Sequence, residues 1–177
     1  MNPTRRLSGS VKHRLIVLKP WNYFGRLHSV MIRLPPDFKE FLRLLNSHRV
    51  EYLLIGGYAV AYHGYPRPTG DMDIWIAVSS QNAIRVTAAL VEFGFRADDV
   101  PVALFTEPDR IVRMGIPPMR LEIVTTISGV DFASCYVRRA SAVVDGVAVD
   151  IIGLDDLKTN KKASGRHKDL NDLEQLP

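Results

Sequence analysis

The sequence predicts one mixed α/β domain, a β-sheet with helices packed on it. Three observations lead there. Short apolar runs of strand length alternate along the chain with longer stripes of helical period. A double glycine, Gly56-Gly57, closes one such run, and thirteen residues later Asp71-Met72-Asp73 opens the next. The composition, 46% hydrophobic and 24% charged over 177 residues, is that of an ordinary globular chain with enough length for one proper core.

The elements follow in order. Pro35-Pro36-Asp37 marks a helix start, and Phe38, Phe41, Leu42, Leu44 and Leu45 form its apolar stripe. Tyr52 to Ile55 reads as a short buried strand ending at the double glycine. A helix is expected over Tyr58 to His63 and a proline-bearing loop over Gly64 to Gly70. Met72, Ile74 and Ile76 alternate with Asp71, Asp73 and Trp75, which is strand periodicity. Ser79-Ser80 offers a cap for a helix that Gly94 closes. Residues 98–109 read as irregular. Strands are expected at Ile111–Met114 and Leu121–Thr126, joined through Gly115-Ile116-Pro117-Pro118, and a short helix at Asp131–Arg138. Asp145-Gly146 signals a hairpin between Ala142–Val144 and Val147–Ile152. Two helices, Leu154–Ser164 and Lys168–Leu176, break near Gly165.

Charge is unevenly spread. Residues 1–33 carry seven Lys or Arg and no acid, which leaves 16 basic and 19 acidic residues for the remainder. The net charge of +4 therefore belongs to an N-terminal arm, and the domain proper, residues 34–177, is mildly acidic. Such an arm is expected to be poorly ordered, a leader ahead of a start at Met31, or else a nucleic-acid contact. Its one apolar run, Leu15 to Leu18, is too short for a signal peptide or a membrane span. A single cysteine, Cys135, excludes an intrachain disulfide framework and points to a reducing, cytoplasmic setting, with the thiol as buried filler.

The chemistry concentrates between Ile55 and Ile76. Residues i and i+2 of a strand share a face, so Asp71 and Asp73 project side by side and repel unless a cation lies between them. Mg²⁺ prefers one or two carboxylates together with substrate phosphates. Glycines upstream let backbone amides approach a ligand closely. The loop His63 to Gly70 brings Arg67 and Thr69 next to the aspartates. In Arg120-Leu121-Glu122-Ile123-Val124, Leu121 and Ile123 face one way, so Glu122 faces the other and offers a third carboxylate. Together these pieces suggest a metal-held polyphosphate. Each also has a plainer reading: a structural turn, solvated strand ends, an Arg67 salt bridge, a Thr69 loop cap, an exposed Glu122; and by spacing alone Lys161, Arg166, Lys168, Asp169 and Asp172 read first as a salt-bridged helix surface. His63 reads more readily as a core or loop residue, and Trp75 as packing or as a surface for a base. There is no Walker-type glycine loop, no Gly-x-Gly-x-x-Gly after a strand and no His-Glu-x-x-His.

The stretch from Gly56-Gly57 through His63, Arg67 and Thr69 to Asp71-Met-Asp73-Ile resembles the signature of the nucleotidyltransferase superfamily related to DNA polymerase beta. Within it, the chain is most similar to the minimal nucleotidyltransferase and AbiEii toxin type. The tail, Lys161 through Arg166, Lys168 and Asp169 to Asp172, resembles that group's basic-acidic segment. The similarity spans roughly residues 36–177.

The resemblance implies a nucleotidyltransferase fold with a mixed sheet flanked by helices. It implies transfer of a nucleoside monophosphate from an NTP such as ATP to a hydroxyl acceptor, with Mg²⁺ and release of pyrophosphate. Gly56 and Gly57 then hold the triphosphate, although Gly57 lacks the serine hydroxyl of many relatives. Asp71 and Asp73 are the metal ligands, and Glu122 is the third carboxylate or a base. Arg67, Thr69, Lys161, Arg166 and Lys168 lie at phosphates, and Asp169 is a base or orients a lysine. A toxin–antitoxin component is the leading form, acting on tRNA or on a partner protein. A noncatalytic nucleotide- or RNA-binding module, and an interaction protein using the arm, stand as alternatives.

Overall fold

A computed structural model describes residues 32–116 and 119–177. Most of the basic arm expected over residues 1–33, the start at Met31, and Pro117-Pro118 lie outside the described residues.

Helix α1 (Pro36–Ser47) begins where the proline pair stops the preceding chain, with Asp37 in its first turn. Phe38, Phe41, Leu42 and Leu45 are its buried stripe. That stripe packs on α3 (Ser80–Phe93) and on strand β6 (Val147–Ile151). The Ser79 side chain caps α3 by accepting from the Asn82 amide, and Gly94, at φ 116°, closes it. Asn82 is itself buried and donates to the Glu51 and Ala77 carbonyls, pinning the start of α3 beside the sheet.

The sheet has six strands in the order β3-β4-β2-β1-β6-β5. Strand β1 (Tyr52–Ile55) runs antiparallel to β2 (Asp71–Ile76) and parallel to β6. Strand β2 runs parallel to β4 (Met119–Val124), which β3 (Ile111–Ile116) flanks antiparallel at one edge. Strand β5 (Ala140–Val144) forms the other edge, paired with β6 through the Asp145-Gly146 hairpin turn. All four residues of β1 are buried, as expected of a strand covered on both faces.

Strand β2 alternates only over its first half. Trp75 shares a face with Asp71 and Asp73 yet is buried. Phe132 of α4 (Phe132–Val137) meets its ring edge-on, and its indole N–H donates to the Thr125 carbonyl. The aspartate face of the sheet is therefore apolar at one end and charged at the other. Helices α5 (Leu154–Ser164) and α6 (His167–Gln175) pack on each other across Gly165, which sits at φ 65°.

Several boundaries differ from expectation, most by a residue or two. Helix α2 (Gly56–Tyr62) starts at the double glycine itself, because Gly56, at φ 64°, turns the chain directly from strand into helix. Strands β3 and β4 both extend to their connection, carrying Gly115 and Ile116 into the ladder. Strand β5 begins two residues early, since Ala140 pairs with Ile151. The stretch read as irregular contains two short 3-10 turns, Ala97–Asp99 and Val102–Phe105. Cys135 is buried, and burial together with Asp156 pushes its thiol up to about 11, consistent with filler. Among the described residues, no helix is long and apolar enough to cross a membrane.

Phe41 is fully buried, so Phe41→Ala should cost about 3–5 kcal/mol. Urea unfolding would register this as a lower midpoint at unchanged slope; a midpoint equal to that of wild type would contradict this packing.

Candidate active site

The parallel register of β2 and β4 sets the arrangement. Asp71 stands opposite Arg120, and Asp73 opposite Glu122. On the far side of β4, Arg113 of β3 stands opposite Glu122. Directly opposed residues share a face, so five charged side chains form a ladder across three strands. Arg120 holds Asp71 in a two-pronged bond, Nε to Oδ1 at 3.1 Å and Nη2 to Oδ2 at 2.8 Å. Arg113 Nε donates to Glu122 Oε1 at 2.9 Å.

Asp73 has a different environment. Ile55 pairs with it across β1 and β2, which sets the next residue, Gly56, against its carboxylate. A Cβ on Gly56 would collide with Asp73 Oδ2, and the positive φ already disfavours any other residue. Gly57 is bound similarly: a Cβ there would lie 2.5 Å from Thr69 Oγ1. Burial, then the charges of Glu122 and Asp71, push the Asp73 carboxyl up to about 6; Lys161 and Lys168 offset this only in part. Asp71 goes the other way, held low chiefly by its bond from Arg120.

A cavity of about 310 Å³ opens here, with Gly56, Asp73, Arg113, Glu122, Lys161 and Arg166 among its lining. Helices α5 and α6 bring the last two. Lys161 is buried, its Nζ 2.5 Å from Asp169 Oδ1 and 3.0 Å from Asp172 Oδ2. Arg166 Nε donates to Asp169 Oδ2 at 2.6 Å, and Ser164 Oγ to the same oxygen at 2.8 Å. Burial pushes the Asp169 carboxyl up, but these three donors outweigh it and bring the group down to about 2. A carboxylate engaged in that way has little proton affinity left, and its bonds orient Lys161. Lys168 is exposed at the start of α6, near enough for its charge to act on both aspartates.

Arg67 and Thr69 stand elsewhere. The Arg67 guanidinium is committed to Asp172, Nε to Oδ1 at 2.6 Å and Nη2 to Oδ2 at 2.9 Å. It lines a separate cavity of about 220 Å³ with Thr69 and Tyr58. The buried Asp172 carboxylate thereby ties the loop ahead of β2 to α6, and the structure does not bring Arg67 to the cavity that Asp73 lines. Thr69 packs on Gly57 and donates to the Asp71 carbonyl at 3.3 Å. His63 Nε2 lies 2.7 Å from the Ile152 carbonyl, and burial lowers its pKa.

Sequence reasoning missed Arg113 and Arg120. A signal was present, because Arg120-Leu121-Glu122 repeats the i, i+2 spacing of Asp71-Met72-Asp73. In-register parallel pairing then sets a guanidinium against one aspartate and a carboxylate against the other.

The donor set is of the right chemistry for a hard divalent cation: three carboxylates on one face, one of them destabilised by its like-charged neighbours. Among the described residues, though, no three acidic or histidine side chains converge closely enough to hold an ion in this arrangement. Asp71 and Glu122 are turned to Arg120 and Arg113 instead. The chemistry of the donors suits Mg²⁺, while two of the three carboxylates are occupied by guanidinium groups in this arrangement.

No protein-family model and no curated protein matches the chain. Solved structures do match. The chain superposes on a candidate nucleotidyltransferase from Thermotoga maritima with a TM-score of 0.54 at 15% identity, over 83% of this chain and 96% of that one. The chain has a nucleotidyltransferase fold. An antigenic nucleotidyltransferase-like protein from Paracoccidioides brasiliensis overlaps more loosely, with a TM-score of 0.47 at 19% identity over 78% of this chain and 72% of that one. In this nucleotidyltransferase fold the charged end of the central sheet, the glycine turn and the α5–α6 pair meet at one cavity.

Gly56→Ala should cost about 1–3 kcal/mol, from the positive φ and from the Asp73 contact. Adding Asp73→Ala should return part of that loss in thermal unfolding; equal losses in the two backgrounds would deny the contact. Asp73 also generates a pH dependence. Its folded pKa, about 6, exceeds its ordinary 3.8, so its stabilising contribution is full below pH about 4 and lost as pH rises through about 6. Without divalent cations, wild type should lose on the order of 2–3 kcal/mol against Asp73→Asn between pH about 4 and 7. Parallel denaturant curves for the two proteins across that range would contradict it.

Proposed function

We propose that this protein is a Mg²⁺-dependent nucleotidyltransferase. It moves a nucleoside monophosphate from an NTP such as ATP to a hydroxyl acceptor and releases pyrophosphate. The observation that carries the reading is the pairing of Asp73 with Glu122 across β2 and β4, at a cavity that also holds Gly56, Lys161 of α5 and Arg166 at the start of α6. A carboxylate ladder beside cationic side chains suits a metal-bound polyphosphate.

Asp71, Asp73 and Glu122 would hold the metal, which when bound supplies charge neutralisation for the triphosphate and acidifies the acceptor hydroxyl. The backbone amides of the Gly56-Gly57 turn would take phosphate oxygens, Gly56 at the cavity itself. Lys161, held between Asp169 and Asp172, presents a fixed positive charge, and Arg166 adds a second. Both are preorganised for charge that builds on the leaving pyrophosphate. Glu122 lies opposite Asp73 and accepts the proton of the attacking hydroxyl.

The minimal nucleotidyltransferase and AbiEii toxin type is the subgroup we infer. The reading is supported by the sequence of the glycine turn and of the Lys161–Asp172 segment. It makes the protein a cytoplasmic toxin–antitoxin component that modifies tRNA or a partner protein, alongside a cognate antitoxin or toxin. A second reading, a noncatalytic nucleotide- or RNA-binding module, draws on one observation: Asp71 and Glu122 are both engaged by arginine.

Incubation with each α-labelled NTP and Mg²⁺, with cell lysate supplying acceptors, separates the two. We expect one NTP to label an acceptor, and Asp73→Ala to lower that labelling by at least about 10³-fold while leaving the fold intact. NTP binding without label transfer or pyrophosphate release would favour the binding module, and retained activity in Asp73→Ala would overturn the assignment of the site.

A further inference from the structure

Arg113 and Arg120 raise a problem for the carboxylate site, and their placement suggests its solution. Both sit directly across the ladder from the acids they bind, Arg120 from Asp71 and Arg113 from Glu122. Arg120 covers both oxygens of Asp71. Each pair has solvent on at least one side: the side chains of Arg120 and Asp71 are 34% and 33% exposed, and Arg113, at 57%, covers a Glu122 that is 15% exposed. Pairs open to solvent on one side are partly screened and rearrange more cheaply than buried ones. The buried pairs of Lys161 with Asp169 and Asp172, 0–5% exposed, form the static part of the site by contrast.

We propose, resting on the nucleotidyltransferase reading, that Arg113 and Arg120 exchange partners during substrate loading. In the protein alone they are the resident counterions of Glu122 and Asp71. When a divalent cation takes the carboxylates, the guanidinium groups swing to the triphosphate of the incoming nucleotide. Charge balance favours the concerted exchange. Five cations act on the three carboxylates Asp71, Asp73 and Glu122: Arg113, Arg120 and Lys168, with Lys161 and Arg166, which are shared with Asp169. A divalent cation added alone leaves an excess of positive charge there, which a polyphosphate removes. Arg113 already lines the cavity, and a guanidinium fork fits phosphate as well as carboxylate. The two arginines therefore oppose metal binding when no nucleotide is present and assist nucleotide binding once the metal is in place.

A merely structural role does not produce effects of opposite sign, so binding measurements test the exchange without any turnover. The variants are Arg120→Gln and Arg113→Gln, with folding checked by circular dichroism. Mn²⁺ binding, read by electron paramagnetic resonance with no nucleotide, should tighten about two- to fivefold in each variant. Calorimetric binding of inorganic tripolyphosphate at saturating Mn²⁺ should weaken about tenfold. Arg120→Lys, which keeps the charge and loses the fork, should fall between. Mn²⁺ affinity that is unchanged or weaker in folded variants, while wild type binds the ion in an Asp73-dependent way, overturns the exchange and leaves the metal-site reading standing. Tighter Mn²⁺ with unchanged tripolyphosphate binding overturns it as well, because the arginines are then counterions only. No Mn²⁺ binding in wild type or variants, with or without tripolyphosphate, overturns both.

Discussion

The parallel pairing of β2 with β4 is the constraint from which the rest of the cleft follows. Its register decides which side chain faces which: Asp73 meets Glu122, and Asp71 meets Arg120. A slip of one residue would turn each of these charges to the other face of the sheet and bring Met72 and Leu121, both buried, out of the core. The apolar residues that alternate with the charges thus fix the charges in place. Burying Met72, Ile74, Leu121 and Ile123 on one face is what forces three acids and two arginines together on the other. The energy that holds the ladder comes from hydrophobic burial, while the ladder itself is electrostatically uneasy, most of all at Asp73.

A second device supports the first from outside the sheet. Lys161, Asp169, Asp172 and Arg67 form a continuous buried or nearly buried ionic network that joins α5, α6 and the loop preceding β2. Breaking such a network leaves uncompensated charge in a low-dielectric interior, which is far costlier than any single surface pair. The network spans three segments distant in sequence, and one of them leads directly into Asp71. Arg67 fixes the frame of the site through Asp172.

Much of this architecture was legible in the sequence, and for identifiable reasons. Helix α3 announced both ends, through Ser79 and Gly94, because caps are local chemistry. Strand β2 announced itself by period-two alternation, and Glu122 was placed on the correct face because Leu121 and Ile123 demanded the other. What escaped was long-range. The commitment of Arg67 to Asp172 spans 105 residues, and no local pattern encodes it. The guanidinium groups of Arg113 and Arg120 needed the strand register, which depends on which strands are neighbours. Trp75 ended up sealed by Phe132 because of where α4 packs. The start of α2 at Gly56 was hidden for another reason: a glycine at positive φ can end a turn or open a helix, and only the surrounding geometry decides.

We propose that these acids share a cation with a nucleotide's phosphates at the glycine turn. The most direct measurement is a crystal structure with Mg²⁺ and a non-hydrolysable NTP analogue. We expect metal density between Asp71, Asp73 and Glu122, with the triphosphate lying along Gly56-Gly57 toward Lys161. A triphosphate seated elsewhere, or one seated here with no metal and the Asp71–Arg120 pair still closed, would contradict it.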